Sequence, residues 1–140
     1  MILHYFYTEK TDNGEKRCTK SVMRGCSDDA INLIKKATKG KVCTEFLELA
    51  KMPNIIERVV ACHEQDEYNP AEGMRIADEK LLQAYNKLRE RAINRYVNAC
   101  RDATAAIENV QLEPVKIQES KVNSSWYADK AAELLAKNNK

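Results

Sequence analysis

The residues best equipped for chemistry fall in one short stretch, Cys62-His63-Glu64-Gln65-Asp66-Glu67. A thiol, an imidazole and three carboxylates lie within it. They raise three readings: a metal site, a thiolate nucleophile, or paired carboxylates for acid–base work. Zinc sites usually carry Cys pairs about two to four residues apart. The other thiols, Cys18, Cys26, Cys43 and Cys100, are widely spaced, and His4 is the one other histidine. No metal site is expected from that pattern. A nucleophilic cysteine needs a convergent histidine. Neighbouring residues on a strand point to opposite faces, so Cys62 and His63 do not serve one another. His4 would have to reach one of the other cysteines. The carboxylates Glu64, Asp66 and Glu67 precede a helix start and read as solvated loop and cap residues near its positive end. The four glycines form no phosphate-cradling motif. No catalytic residue and no cofactor is expected, and the chain is not expected to be an enzyme.

The second candidate is electrostatic. Arg75, Lys80, Lys87, Arg89, Arg91, Arg95 and Arg101 recur through one helical stretch beside Tyr85 and Tyr96. On the simpler reading they form a solvated face whose stems cover apolar surface. On the sharper one, two such helices meet in a basic, aromatic cleft. Guanidinium groups hold phosphates by paired hydrogen bonds and tyrosine rings stack on bases. Arg75, Tyr85, Arg89, Arg91, Arg95 and Tyr96 are therefore the candidate ligand-binding residues, with an anionic nucleotide as the ligand class. The formal net charge of +2 is too small to mark a nucleic-acid binder. It also has the wrong sign for an acidic mimic of DNA.

These residues need elements to hold them. Ile2 to Thr8 is aromatic and β-branched, Asn13-Gly14 suits a tight turn, and Lys16 to Met23 reads as the return strand. Ser27-Asp28-Asp29 starts a helix that Gly40 stops. Val42 to Leu49 alternates as a strand does but also fits a helical turn; a strand is favoured. Ile55 to Cys62 is a strand rich in Ile and Val. Asn69-Pro70-Ala71-Glu72 combines a cap, a proline at the first helical position and an acid at the capping-box position. From there Met74, Ala77, Leu81, Tyr85, Leu88, Ala92, Tyr96 and Ala99 form one helical stripe, unbroken by Pro or Gly until Pro114. Gly73, in the first turn, is expected to pack closely on the preceding strand. Ser124-Ser125 opens a last helix carrying Tyr127, Ala131, Leu134 and Leu135 on one face.

The fold expected is α+β in a ββαββ order: a small antiparallel region of two hairpins and a short helix, then a long helix and a terminal helix. Residues 1–66 form the β-rich part of one domain of 140 residues, 70–109 the long helix and 124–138 the terminal helix. A helix over 70–109 is roughly 60 Å long, against a diameter near 40 Å for a compact domain of this size. Either it breaks near Asp102-Ala103-Thr104 or a second copy of the chain covers its excess stripe, which points to a homo-oligomer.

Met1 to Tyr7 lacks the basic segment and apolar core of a signal peptide. No apolar run spans a bilayer, and the five cysteines are odd in number and widely spaced. A cytosolic protein with reduced thiols and no membrane contact is expected. The segment Val60-Ala61-Cys62-His63-Glu64-Gln65-Asp66-Glu67-Tyr68-Asn69-Pro70-Ala71-Glu72-Gly73-Met74-Arg75-Ile76-Ala77 resembles one found in small accessory proteins of phages and prophages of Gram-positive bacteria. There a strand ends in Cys, often followed by His-Pro, then an Asp-x-Phe/Tyr-Asp turn and a helix with a Gly and a small residue. Here Glu64 replaces the frequent Pro and Asn69 the frequent Asp. The resemblance implies a non-enzymatic phage protein that acts by binding a host defence component, as a CRISPR effector inhibitor or an oligomeric sponge for a nucleotide signal. A nucleic-acid-binding or regulatory phage protein is the alternative. The resemblance carries over no catalytic residue.

Overall fold

The structure is a computed structural model that describes residues 1–62, 67–117 and 125–138. The chain divides into two compact units, Met1–Glu108 and Asn109–Lys140. The first is α+β, as expected. Strand β1 (Ile2–Thr11) turns through Asp12-Asn13 into β2 (Gly14–Arg24), paired without a gap from Ile2↔Met23 to Thr11↔Gly14. The turn sits one residue earlier than the Asn-Gly pair suggests. Gly14, at φ 137°, already belongs to β2 and carries the positive φ, while Asn13 does not.

Helix α1 (Asp29–Ala37) buries Ala30, Ile31 and Ile34. Gly40, at φ +80°, turns the chain beyond it and donates its N–H to the Lys35 carbonyl at 2.9 Å. The favoured strand at Val42–Leu49 is not formed. Helix α2 (Thr44–Leu47) and a 3₁₀ turn (Glu48–Ala50) stand in its place. The reason is the spacing of the apolar residues. Cys43, Leu47 and Ala50 recur at three to four positions and, with Phe46, turn towards one core. With that strand goes the second hairpin. Strand β3 (Ile55–Cys62) instead pairs antiparallel with β2, giving a three-stranded sheet in the order β1-β2-β3.

Helix α3 (Pro70–Glu108) runs 39 residues without a break at Asp102-Ala103-Thr104, about 58 Å at 1.5 Å per residue. Asn69 caps it: its side-chain oxygen accepts from the Glu72 amide at 3.3 Å and its carbonyl from Gly73 at 3.0 Å. The reciprocal half of a capping box is missing, because Glu72 binds Arg75 at 2.6 and 3.1 Å. The helix lies over β2 and β3, then along α1, α2 and the 3₁₀ turn. Ala77, Leu81, Ala92 and Tyr96 are its buried residues. Leu81, Ala92 and Tyr96 share one core with Cys26, Ile31, Ile34, Leu47, Met52 and Ile56.

In the second unit, α4 (Trp126–Asn138) opens with the Ser125 carbonyl accepting from the Asp129 amide at 2.9 Å. Trp126 and Tyr127 meet edge to face at 5.0 Å. Among the described residues, no helix is long and apolar enough to cross a membrane.

Gly73 sets how closely α3 approaches the sheet. Its close neighbour is on the central strand β2, not on the preceding strand β3. A Cβ at this position would stand 2.6 Å from Thr19 Oγ1 and 3.3 Å from Thr19 Cβ. Gly73→Ala gains up to about 1 kcal/mol of helix propensity but drives a methyl into the buried Thr19. Net destabilisation of about 1–2 kcal/mol is expected in urea denaturation. Adding Thr19→Ala should return part of it; two substitutions that merely add would disprove the contact.

Candidate functional site

The only histidine described, His4, reaches a carboxylate rather than a cysteine. It lies on β1 opposite Ser21 of β2. Both side chains point at Asp78, one turn beyond Met74 on α3. His4 Nε2 donates to Asp78 Oδ1 at 2.7 Å, and Ser21 Oγ donates to the same oxygen at 2.6 Å. Serine, histidine and aspartate are thus together, but in the wrong order for hydrolysis. A nucleophilic serine hands its proton to histidine, which therefore sits between serine and aspartate. Here aspartate sits between them, and Ser21 is fully buried. The cluster clamps β1, β2 and α3 together. Nothing in the sequence hints at it, since the partners lie 74 and 57 positions apart.

Of the five cysteines, Cys18 and Cys26 are buried and Cys43, Cys62 and Cys100 half-buried. Burial, with the nearby Asp29 charge, raises the Cys26 thiol above its ordinary value, the opposite of an activated nucleophile. Among the described residues no three His, Cys, Asp or Glu side chains converge as metal ligands. His63, Glu64, Gln65 and Asp66, and with them most of the expected acidic loop, lie outside the described residues. Arg17 stacks at 5.0 Å on Tyr68 beside a cavity of about 210 Å³ lined also by Thr19, Cys62, Glu72 and Gly73.

The six arginine and tyrosine candidates occupy separate places along α3. Arg75 is gripped by Glu72 and Glu79, at 2.6 and 3.2 Å. It stands about 15 Å along the axis from Tyr85. Tyr85 donates its hydroxyl to Asp29 Oδ2 at 2.7 Å, tying α3 to α1. Arg89 stacks on the Tyr85 ring at 5.2 Å and lines a shallow groove of about 320 Å³ with Leu33, Asn86, Glu90, Ile93 and Asn94. Arg95 donates to the carbonyls of Leu49 and Lys51 at 2.7 and 2.8 Å. Tyr96 is buried and accepts from the Cys43 amide at 3.0 Å. Arg91 is exposed and has no hydrogen-bonding or ionic partner among the described residues. Tyr85 and Arg89 are thus brought together. Arg75, Arg95 and Tyr96 are engaged by the chain itself.

The sheet offers a different surface. The register puts Ile2, His4, Thr19, Ser21, Met23 and Ile56 on the side of α3. The opposite side carries Leu3, Tyr5, Tyr7, Cys18, Lys20, Val22, Ile55, Glu57 and Val59. No helix of the first unit lies on that side. Tyr5, Tyr7, Ile55 and Val59 are 42%, 40%, 52% and 42% exposed. Lys20 lies at their centre, 5.8 Å from the Tyr7 ring and 3.8 Å from Glu57. Arg24 donates to Tyr5 Oη at 3.4 Å. Sequence reading missed this face, although the alternation of Leu3, Tyr5 and Tyr7 was its signal.

Two predictions follow from these ties. Asp78→Ala leaves the buried Ser21 hydroxyl without its acceptor and should cost about 1–3 kcal/mol in urea denaturation; an unchanged midpoint would show that the clamp is not formed. The Tyr85 phenol is raised above its ordinary value by burial and then by its bond to Asp29, with Arg89 opposing. The unfolded chain therefore loses this proton first as pH rises. The stabilisation is whole below about pH 10 and fades as pH climbs through the higher folded value. Tyr85→Phe should be less stable by about 1 kcal/mol at neutral pH, and the gap should narrow above about pH 10. A gap that stays constant into alkali would contradict the Tyr85–Asp29 bond. No protein-family model, no curated protein and no solved structure matches the chain.

Proposed function

We propose that the protein acts by binding another protein, as a non-enzymatic phage accessory factor that blocks an effector of bacterial immunity. The observation that carries this reading is the open face of the sheet. Tyr5, Tyr7, Ile55 and Val59 stand half-exposed there around the Lys20–Glu57 pair. An aromatic and aliphatic patch with a few charges has the composition of a protein-binding surface. The groups that suggested chemistry are engaged otherwise: Asp78 by His4 and Ser21, Arg95 by two carbonyls, Arg75 by two glutamates. The phage setting comes from the resemblance of Val60–Ala77 alone.

A second reading, a sponge for an anionic nucleotide signal, is favoured by one observation. Arg89 lies stacked on Tyr85, with Arg91 free of partners among the described residues.

Phage plating in bacteria carrying an active CRISPR nuclease separates the readings. The protein should restore plating of a targeted phage and form a stable complex with the nuclease. Tyr7→Glu and Val59→Glu, both on the open face, should abolish both effects while the helical spectrum is kept. Rescue that survives both variants but is lost in Arg89→Ala/Arg91→Ala would overturn the protein-binding reading. The sponge would also gain about 2.7 kcal/mol of stability from a cyclic dinucleotide at about 100 times its Kd. Binding to DNA that weakens steeply with salt would replace both readings with nucleic-acid recognition.

A further inference from the structure

The sheet has two edges, and they are built differently. Strand β3 forms one, with Glu57 and Arg58 near its middle. Charges there oppose pairing with a further strand. Strand β1 forms the other edge along its full ten residues. It has no proline, and its one-to-one register with β2 leaves no bulge. From Ile2 to Thr8 it holds no Lys, Arg, Asp or Glu. Over that run it has none of the charges, prolines or bulges that commonly protect an edge. In an antiparallel ladder alternate residues turn their N–H and C=O groups outward, so β1 presents a row of such groups. Tyr5, Phe6 and Tyr7 are 42%, 49% and 40% exposed beside it. Helix α3 lies over β2 and β3 and reaches β1 through Asp78 at His4, and Phe6, on the helix side, stays half-open.

We infer that β1 is a self-pairing edge: two copies of the chain join antiparallel through Ile2–Thr8, with Tyr5 on the two-fold axis. The occupant is a second copy because the strand is complementary to itself. Within the strand, the uncharged stretch Ile2–Thr8 is centred on Tyr5. An axis there sets Ile2 against Thr8, Leu3 against Tyr7 and His4 against Phe6 of the other copy. Glu9 and Lys10 then fall outside the paired stretch. An axis at Phe6 would put Glu9 opposite Leu3 and Lys10 opposite Ile2. An axis at His4 would pair fewer residues. Paired positions differ by an even number, so side chains of one parity meet on one face. The two three-stranded sheets become one continuous sheet, and the open face carrying Leu3, Tyr5 and Tyr7 doubles in width. Six half-exposed rings, at about 150–250 Å² for a whole ring, supply roughly 500 Å² towards the about 1,200 Å² of a stable interface. The dimer therefore belongs at the small, reversible end of the range, with dissociation in the micromolar region expected on dilution. The inference goes beyond the functional reading and shares Tyr5 and Tyr7 with it.

Sedimentation equilibrium of the full chain tests it. At concentrations on the order of 100 µM the protein should be dimeric, and Phe6→Lys should make it monomeric while its helical spectrum is unchanged. Disulfide trapping tests the register. Paired Cα atoms lie about 4.5–5.5 Å apart, inside the range a disulfide bridges. Tyr5→Cys should thus give a covalent dimer on mild oxidation, well above any formed by the parent chain. Lys10→Cys should not, because in this register the two positions stand about 34 Å apart. A monomeric parent at that concentration would overturn the inference. So would a dimer that survives Phe6→Lys and dissociates on Val97→Glu, which would place the interface on α3. Trapping at Lys10→Cys without trapping at Tyr5→Cys would overturn it as well.

Discussion

The fold depends on one helix that packs first on the sheet and then along the small helices. At its start α3 faces the sheet, where the missing side chain of Gly73 lets it settle on Thr19. Asp78 then takes hydrogen bonds from His4 and Ser21 of the two strands beneath it. Leu81 marks the handover, fully buried in the core shared with Ile56 and Ile34. Beyond it, Tyr85 is tied to α1 through Asp29, Arg95 to the 3₁₀ turn and Tyr96 to Cys43 ahead of α2. A helix this long cannot be stabilised by propensity alone and gains most of its stability from what it packs against. Here the partners arrive in sequence along its length, each with one polar tie that sets rotation and height.

That arrangement has a structural consequence. The helices of the first unit all gather along α3, so they fall on one side of the sheet. A two-layer α+β unit of this kind leaves the second sheet face without a helix of its own, although Cys18 and Val22 on that face are buried. In many antiparallel sheets that face becomes polar. Here it retains tyrosines and β-branched residues, with Lys20 and Glu57 paired between them and Glu9, Lys16 and Arg24 towards its ends. Polar side chains meanwhile appear under the helix, where Thr19 and Ser21 are among the most deeply buried residues of the chain. Burying Ser21 is tolerable because Asp78 accepts its hydrogen bond. The central strand is thus buried on both faces, by Thr19 and Ser21 under the helix and by Cys18 and Val22 on the other side.

Much of the fold was legible because it is written in local chemistry. The cap Asn69 with Pro70, the stripe from Met74 to Tyr96 and the Ile/Val run of β3 each need only a few neighbouring residues to be read. Val42 to Leu49 misled because Val42, Thr44 and Phe46 fit a strand as well as Cys43, Leu47 and Ala50 fit a helical face. The tertiary wall of α3 decided between them. The expected second hairpin failed for the same reason, since β3 finds its partner in β2 across the helices. The candidate site was less legible. Arginine and tyrosine recurrence along α3 was visible, but the glutamates and carbonyls that engage Arg75 and Arg95 come from positions that only the packing defines. His4 and Asp78 are 74 residues apart, and no periodicity connects them.

Charge is distributed unevenly enough to matter. Charged residues make up 31% of the chain, and α3 carries many of them on its solvent side. Strand β1 carries none across Ile2–Thr8, although Tyr5, Phe6 and Tyr7 stand half-exposed there. A net charge of +2 gives little long-range repulsion to keep such edges apart. An uncharged aromatic edge left open would pair indiscriminately, so its persistence in a folded protein requires a definite cover. The strand's own symmetry about Tyr5 supplies one that closes on itself, because a two-fold pairing uses up the edge it joins. Glu9 and Lys10, just past the uncharged run, then act as the boundary that fixes where the pairing stops.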